Sequence, residues 1–89
     1  MEEPKPQQRY MHFKGKEYEV IVVAKDCEDP SKRIVVYKQL YGTPENPVGT
    51  IWVRSLDDFV GDKVFQEDTA IGERRFRAGE RVKRFTLIE

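Results

Sequence analysis

The sequence predicts a mainly β fold: a small antiparallel barrel or roll of four to five strands with one short helical turn. Three observations point there. Apolar and β-branched residues recur with period two in "EYEVIVV" and "RIVVYKQ", as they do where side chains alternate across a strand. Clusters of Gly, Pro, Asn and Asp separate these runs and leave no room for the crossover helices of a parallel sheet. Finally, 89 residues make one domain with one modest core, and a small sheet must curl on itself to cover that core and its edges.

The elements follow in order. Residues 1–9 are polar and hold Pro4 and Pro6; they are expected to form a disordered tail ahead of a single domain over 10–89. Ordered structure is expected from Tyr10 to Phe13, and Lys14-Gly15-Lys16 reads as a turn because Gly accepts positive φ. In "EYEVIVVAKD", Tyr18, Val20, Val22 and Ala24 share one face and Glu17, Glu19, Ile21 and Val23 the other. "DCEDPSK" breaks that strand. "RIVVYKQLY" supplies the next, with Val35, Tyr37, Gln39 and Tyr41 opposite Ile34, Val36, Lys38 and Leu40. "GTPENPVG" is a loop, and "TIWVRS" is a third strand with Trp52 and Arg54 opposite Ile51 and Val53. "SLDDFVG" suits a single helical turn. Ser55 can cap it, Asp57 and Asp58 suit its positive end, Gly61 can end it, and Leu56, Phe59 and Val60 can face the core. "DKVFQE" is a short fourth strand, residues 68–80 are the longest loop candidate, and "RVKRFTLIE" is a final strand. There Val82, Phe85 and Leu87 fall out of phase, the mark of a bulge.

Composition excludes several classes. Sixteen basic residues balance sixteen acidic ones, so no bulk attraction to nucleic acid or anionic membrane is expected. The balance is local as well: an acidic stretch over 57–68 precedes a basic one over 73–84, and mutual screening is the first expectation. Cys27 is the single cysteine. It has no disulfide partner or metal-ligand companions, which suits a reducing compartment. The first nine residues show no signal-peptide core and no run suits a membrane helix. A cytoplasmic protein with no cofactor and no metal is expected.

The motifs "Y-x-HFKG-x-x-Y-x-V" at Tyr10–Val20, "VVY-x-x-LYG" at Val35–Gly42, "WVR-x-x-x-x-F" at Trp52–Phe59 and "RF" at Arg84–Phe85 resemble the bacterial domain-of-unknown-function family 1653. The resemblance spans roughly residues 10–85. It implies an SH3-like barrel and carries no activity. Residues 43–50 and 66–81 are longer than the family's compact pattern.

Three candidate sites follow. His12, flanked by a turn and two tyrosines, could act as a base, but no nucleophile or orienting carboxylate sits at a diagnostic spacing; a hydrogen bond to backbone or to a tyrosine hydroxyl is the simpler role. Asp26, Glu28 and Asp29 lack the ligand ladder of a calcium loop. Tyr37, Tyr41, Trp52 and Arg54, joined by His12 and Arg84, could form one recognition patch, with Val36, Leu40, Ile51 and Val53 supplying the core. The competing reading puts the aromatics in the interior and pairs Arg54 with Asp57 or Asp58. The leading expectation is a non-enzymatic interaction module for a peptide or protein partner. The alternative is single-stranded nucleic acid on Arg74, Arg75, Phe76, Arg77 and Arg81, with Phe76 stacking on a base.

Overall fold

The computed structural model describes residues 3–88. The ends of the expected tail (residues 1 and 2) and of the final strand (residue 89) lie outside the described residues. Among the described residues, nine strands and one helix run in the order β1 (Arg9–His12), β2 (Glu17–Lys25), β3 (Arg33–Gln39), β4 (Ile51–Ser55), α1 (Leu56–Val60), β5 (Asp62–Val64), β6 (Thr69–Ile71), β7 (Arg74–Phe76), β8 (Arg81–Lys83) and β9 (Phe85–Leu87).

Five strands form one antiparallel sheet in the order β4-β3-β2-β1-β9. Two ribbons, β5–β8 and β6–β7, stand apart from it. The mainly β antiparallel fold with one helical turn is as expected, and of the barrel and the roll it is the open form: among the described residues no ladder joins β4 to β9, so both are edges. Instead, α1 leads away from β4 and packs against β3 and β4. The core lies between sheet and helix. Val20, Val35, Tyr37, Phe59 and Phe85 are buried there, with Tyr10, Tyr18, Val23, Leu56 and Val60 packed around them. The centre is aromatic: Phe59 stacks on Phe85 at 4.1 Å and 8°, and Tyr10 and Tyr37 meet Phe59 edge-on at 5.1 and 5.4 Å.

The turn at 14–16 forms as expected, with Gly15 at φ 93° and its N–H donated to His12 O at 2.8 Å. The helical turn also forms as read. Ser55 Oγ accepts the Asp58 N–H at 3.2 Å, and Phe59 is the residue it buries. Gly61 ends it by close approach rather than by positive φ: a Cβ there would lie 2.7 Å from Asp57 O.

Four expectations are corrected. Residues 3–9 are tied down: Pro4 is buried, Gln7 donates to Val20 O and Val20 to Gln8 O, each at 2.8 Å, and Arg33 reaches Glu3. The face assignment of β2 fails after Val20, because the register shifts between Val20 and Val22. One extra residue there turns Val23 inward and leaves Ile21 and Val22 at the surface. The loop at 68–80 contains the β6–β7 ribbon, folded about Gly72 at φ 61°. The final strand breaks at Arg84, so that β8 pairs with β5 and β9 with β1. That break accounts for the phase slip between Val82 and Phe85.

Candidate functional site

The β3–β4 register decides which expected site residues can meet a ligand. Tyr37 lies opposite Trp52, and Val35 opposite Arg54. This face points into the core, since Val35, Tyr37 and Gln39 are all buried. The opposite face, expected as core, carries Ile51 and Val53, which are 52% and 65% exposed. The recognition patch and the core are therefore exchanged relative to that reading. A two-layer fold with α1 on one side buries the face toward α1, and the period-two pattern does not say which side α1 takes.

Tyr37 is a core residue, with edge-on contacts to Tyr18 and Phe85 at 5.3 and 5.6 Å. Tyr41 follows the strand; its hydroxyl shares a 2.5 Å hydrogen bond with that of Tyr18. That bond and burial push the Tyr18 phenol upward, burial being the larger cause. Trp52 is 39% exposed as a residue but donates Nε1 to Gln39 Oε1 at 2.8 Å. Gln39, which the sequence did not mark, also donates Nε2 to Tyr41 O at 3.0 Å and to Asn46 O at 2.9 Å. A buried amide with all these groups matched fastens the 41–46 loop to Trp52.

Three expected site residues do come together. His12 at the end of β1, Arg54 on β4 and Arg84 at the β8–β9 break line one concavity of about 440 Å³. Lys14, Lys63, Phe13 and Phe65 line it as well, with Gln66, Thr69, Ile71 and, as the one carboxylate, Glu67. Four cationic side chains against one anion make the site strongly positive in an otherwise neutral chain. Arg54 Nε donates to Tyr37 Oη at 3.5 Å; among the described residues the pairing with Asp57 or Asp58, expected in the competing reading, does not form. Arg84 Nη2 donates a long 3.4 Å bond to Asp62 O, and its buried Nε meets no acceptor among the described residues. A buried donor left unmatched costs about 1–3 kcal/mol.

His12 is set for donation. Its ring packs against Phe13 and Phe85, and Nδ1 accepts the Lys14 N–H at 3.2 Å. Partial burial, then Lys14, Arg54 and Arg84, lower its pKa from 6.5 to about 4. At neutral pH the ring is uncharged, and with Nδ1 occupied its proton resides on Nε2. The ring therefore offers an N–H and has no free lone pair for a general base.

One consequence is measurable. Between pH 4 and 6.5 the unfolded chain protonates His12 while the folded chain does not. Stability should rise with pH through that window and fall as acid is added. His12→Asn, which keeps an acceptor for the Lys14 N–H, should flatten the slope of urea-midpoint against pH between 5 and 6.5.

The basic stretch behaves differently from expectation. Phe76, the expected base-stacking ring, is buried against Phe65 at 4.4 Å and 10°. Arg74 sits 4.8 Å above the same ring and donates Nη1 to Phe13 O at 3.1 Å. Arg81 pairs with Asp62 at 3.6 Å, which realises the expected screening between the acidic and basic stretches. Arg75 and Arg77 are exposed.

Lys14, Lys63, Phe13 and Phe65 were missed as wall residues. The turn "KGK" and the lone base in an acidic stretch were visible, but their convergence depends on how β5 folds back. Among the described residues, no cluster of His, Cys, Asp and Glu could hold a metal ion, and no helix is long and apolar enough to cross a membrane. A family model described as a protein of unknown function (DUF1653) matches residues 8–87. No curated protein and no solved structure matches the chain.

Proposed function

The chain belongs to the DUF1653 family of proteins of unknown function, and from that premise we propose that it is a non-enzymatic interaction module whose cationic concavity receives an acidic side chain of a peptide or protein partner. The observation carrying this reading is the convergence of Arg54 and Arg84, with Lys14 and Lys63, on one concavity whose one carboxylate is Glu67. A carboxylate would meet planar guanidinium groups that match its two oxygens. His12 would add a neutral N–H, while Phe13 and Phe65 would pack the aliphatic stem of the entering residue.

Size and shape favour a peptide over a nucleic-acid strand. The concavity suits one residue's end group and falls in the range of about 300–1,000 Å³ usual for discrete ligand sites. Tracking a phosphate backbone needs an extended basic groove with exposed rings, and Phe76 is buried. A cytoplasmic setting belongs to the same reading, supported by the exposed, unpaired Cys27.

The test uses fluorescence anisotropy of a fluorescein-labelled hexaglutamate peptide against the full chain. Affinity should weaken as salt rises from 50 to 200 mM. Arg54→Ala and Arg84→Ala should each weaken it by about 10- to 100-fold, the worth of one charge-assisted hydrogen bond. Arg75→Ala, outside the concavity, should leave it unchanged. Equal affinity in all three variants would sink the reading. Tighter binding of an oligothymidine probe of matched length would favour the nucleic-acid alternative.

A further inference from the structure

We propose that the open edge of β4 is a homodimer interface, where two copies pair antiparallel about a twofold axis at Val53. This goes beyond the ligand reading and does not depend on it.

The main-chain phase comes first. Gln39 donates its N–H to Thr50 O at 2.9 Å. Along an antiparallel ladder the groups aimed at the partner recur every second residue. Tyr37 and Val35 therefore also face β4, and Trp52 and Arg54, their register partners, answer them. The other side of β3 agrees: Val20, opposite Tyr37, exchanges its own groups with Gln7 and Gln8 instead. Ile51, Val53 and Ser55 consequently turn their N–H groups to the open edge.

Apart from the inward-turned Arg54, that edge lacks the usual protections. "IWVRS" has no Lys and no Pro, β4 has no register shift against β3, and four of its five residues are exposed. Unprotected edges pair with other strands. β9, the opposite edge, is only three residues long.

The occupant is a second copy because the strand is complementary to itself. With the axis at Val53, the Val53 residues of the two copies form a hydrogen-bonded pair. Ile51 then faces Ser55 of the second copy, and Trp52 faces its Arg54. On the other face, Val22, Val36 and Val53 form one cross-strand row in each copy, and Val22 and Val53 are 43% and 65% exposed. Pairing joins the two rows into one continuous apolar stripe. The contact is isologous, so it closes at two copies.

The test is mass by light scattering and sedimentation on the full chain from 5 to 500 µM. The expected species has twice the 10.5 kDa chain mass and dissociates on dilution. Val53→Pro removes an N–H aimed at the edge while sparing the β3 ladder, as proline is tolerated on an edge strand. It should give a monomer with an unchanged circular-dichroism spectrum. Val53→Lys is the second variant should proline disturb the fold, with the same outcome expected. In a Cys27→Ser background, Val53→Cys should oxidise to a covalent dimer, because hydrogen-bonded antiparallel pairs have Cα atoms about 5.5 Å apart, inside the disulfide range. A wild-type monomer at 500 µM, or a dimer that survives both Val53→Pro and Val53→Lys, would overturn the proposal.

Discussion

Phe59→Ala should come close to unfolding the domain. Phe59 is 1% exposed and is the ring on which the core converges, stacked on Phe85 and met edge-on by Tyr10 and Tyr37. Truncating a buried Phe removes its transfer free energy and leaves a cavity that the neighbours fill only in part, for about 3–5 kcal/mol. Native domains hold only about 5–15 kcal/mol in total, with small chains near the lower end. For a chain of this length each kcal/mol shifts Tm by roughly 4–8 °C, so a fall of more than about 12 °C is expected. Relief by collapse is limited: α1 is a single turn, held from one side by the Ser55 cap and from the other by the close approach at Gly61. Phe59→Leu should recover part of the loss, since it keeps apolar volume but loses the stack. A melt of Phe59→Ala within about 3 °C of wild type would show that the stack is not the centre of the fold.

Phe76→Ala should have the second largest effect, and a local one. Phe76 and Phe65 are 3% and 4% exposed and stack on each other, with Phe13 edge-on to Phe65 at 5.9 Å. This is a satellite cluster beneath the β6–β7 ribbon, apart from the main core. The ribbon's other ties are Arg74 to Phe13 O and the bonds of Phe65 with Gly79 and Glu80. Losing the ring should remove about 3 kcal/mol from the ribbon's local stability, the lower end for a buried Phe. Hydrogen exchange should quicken at residues 69–80 while β2 and β3 stay protected. The concavity should lose its wall at Thr69 and Ile71, and hexaglutamate affinity should fall although Arg54 and Arg84 are untouched. Uniformly faster exchange over the whole chain would show instead that ribbon and sheet unfold as one unit. An intact exchange pattern combined with loss of oligothymidine binding would restore Phe76 as a base-stacking ring.

Local chemistry and periodicity were enough to read several elements. Gly15 in "KGK", Ser55 and Gly61 around "LDDFV", and the alternation in "RIVVYKQ" carry their own geometry, because turn and cap preferences act over a few residues. The alternation located strands and their two faces. It left open which face is buried, since Val36, Ile51 and Val53 are as apolar as the residues turned inward. That choice belongs to α1: once Phe59 docks on Tyr37 and Phe85, the face toward it is core and the valine row is surface. The register shift after Val20 is also invisible to a period-two count, which assumes an unbroken pleat.

The candidate site divides along the same line. His12, Arg54 and Arg84 could be singled out by residue type, as members of a recognition patch and, for His12, as a candidate base. Tyr37 and Phe76 were singled out by the same logic and are interior. Nothing local separates these two sets, because an aromatic ring serves a core and a binding surface equally well. Residue order settled the mainly β class, the turns and the helix cap, all of which are short-range. Which side of the sheet is covered, how far residues 62–84 fold back, and therefore which cations share a concavity depend on contacts between segments distant along the chain. Those are set by how a limited apolar area can be buried all at once.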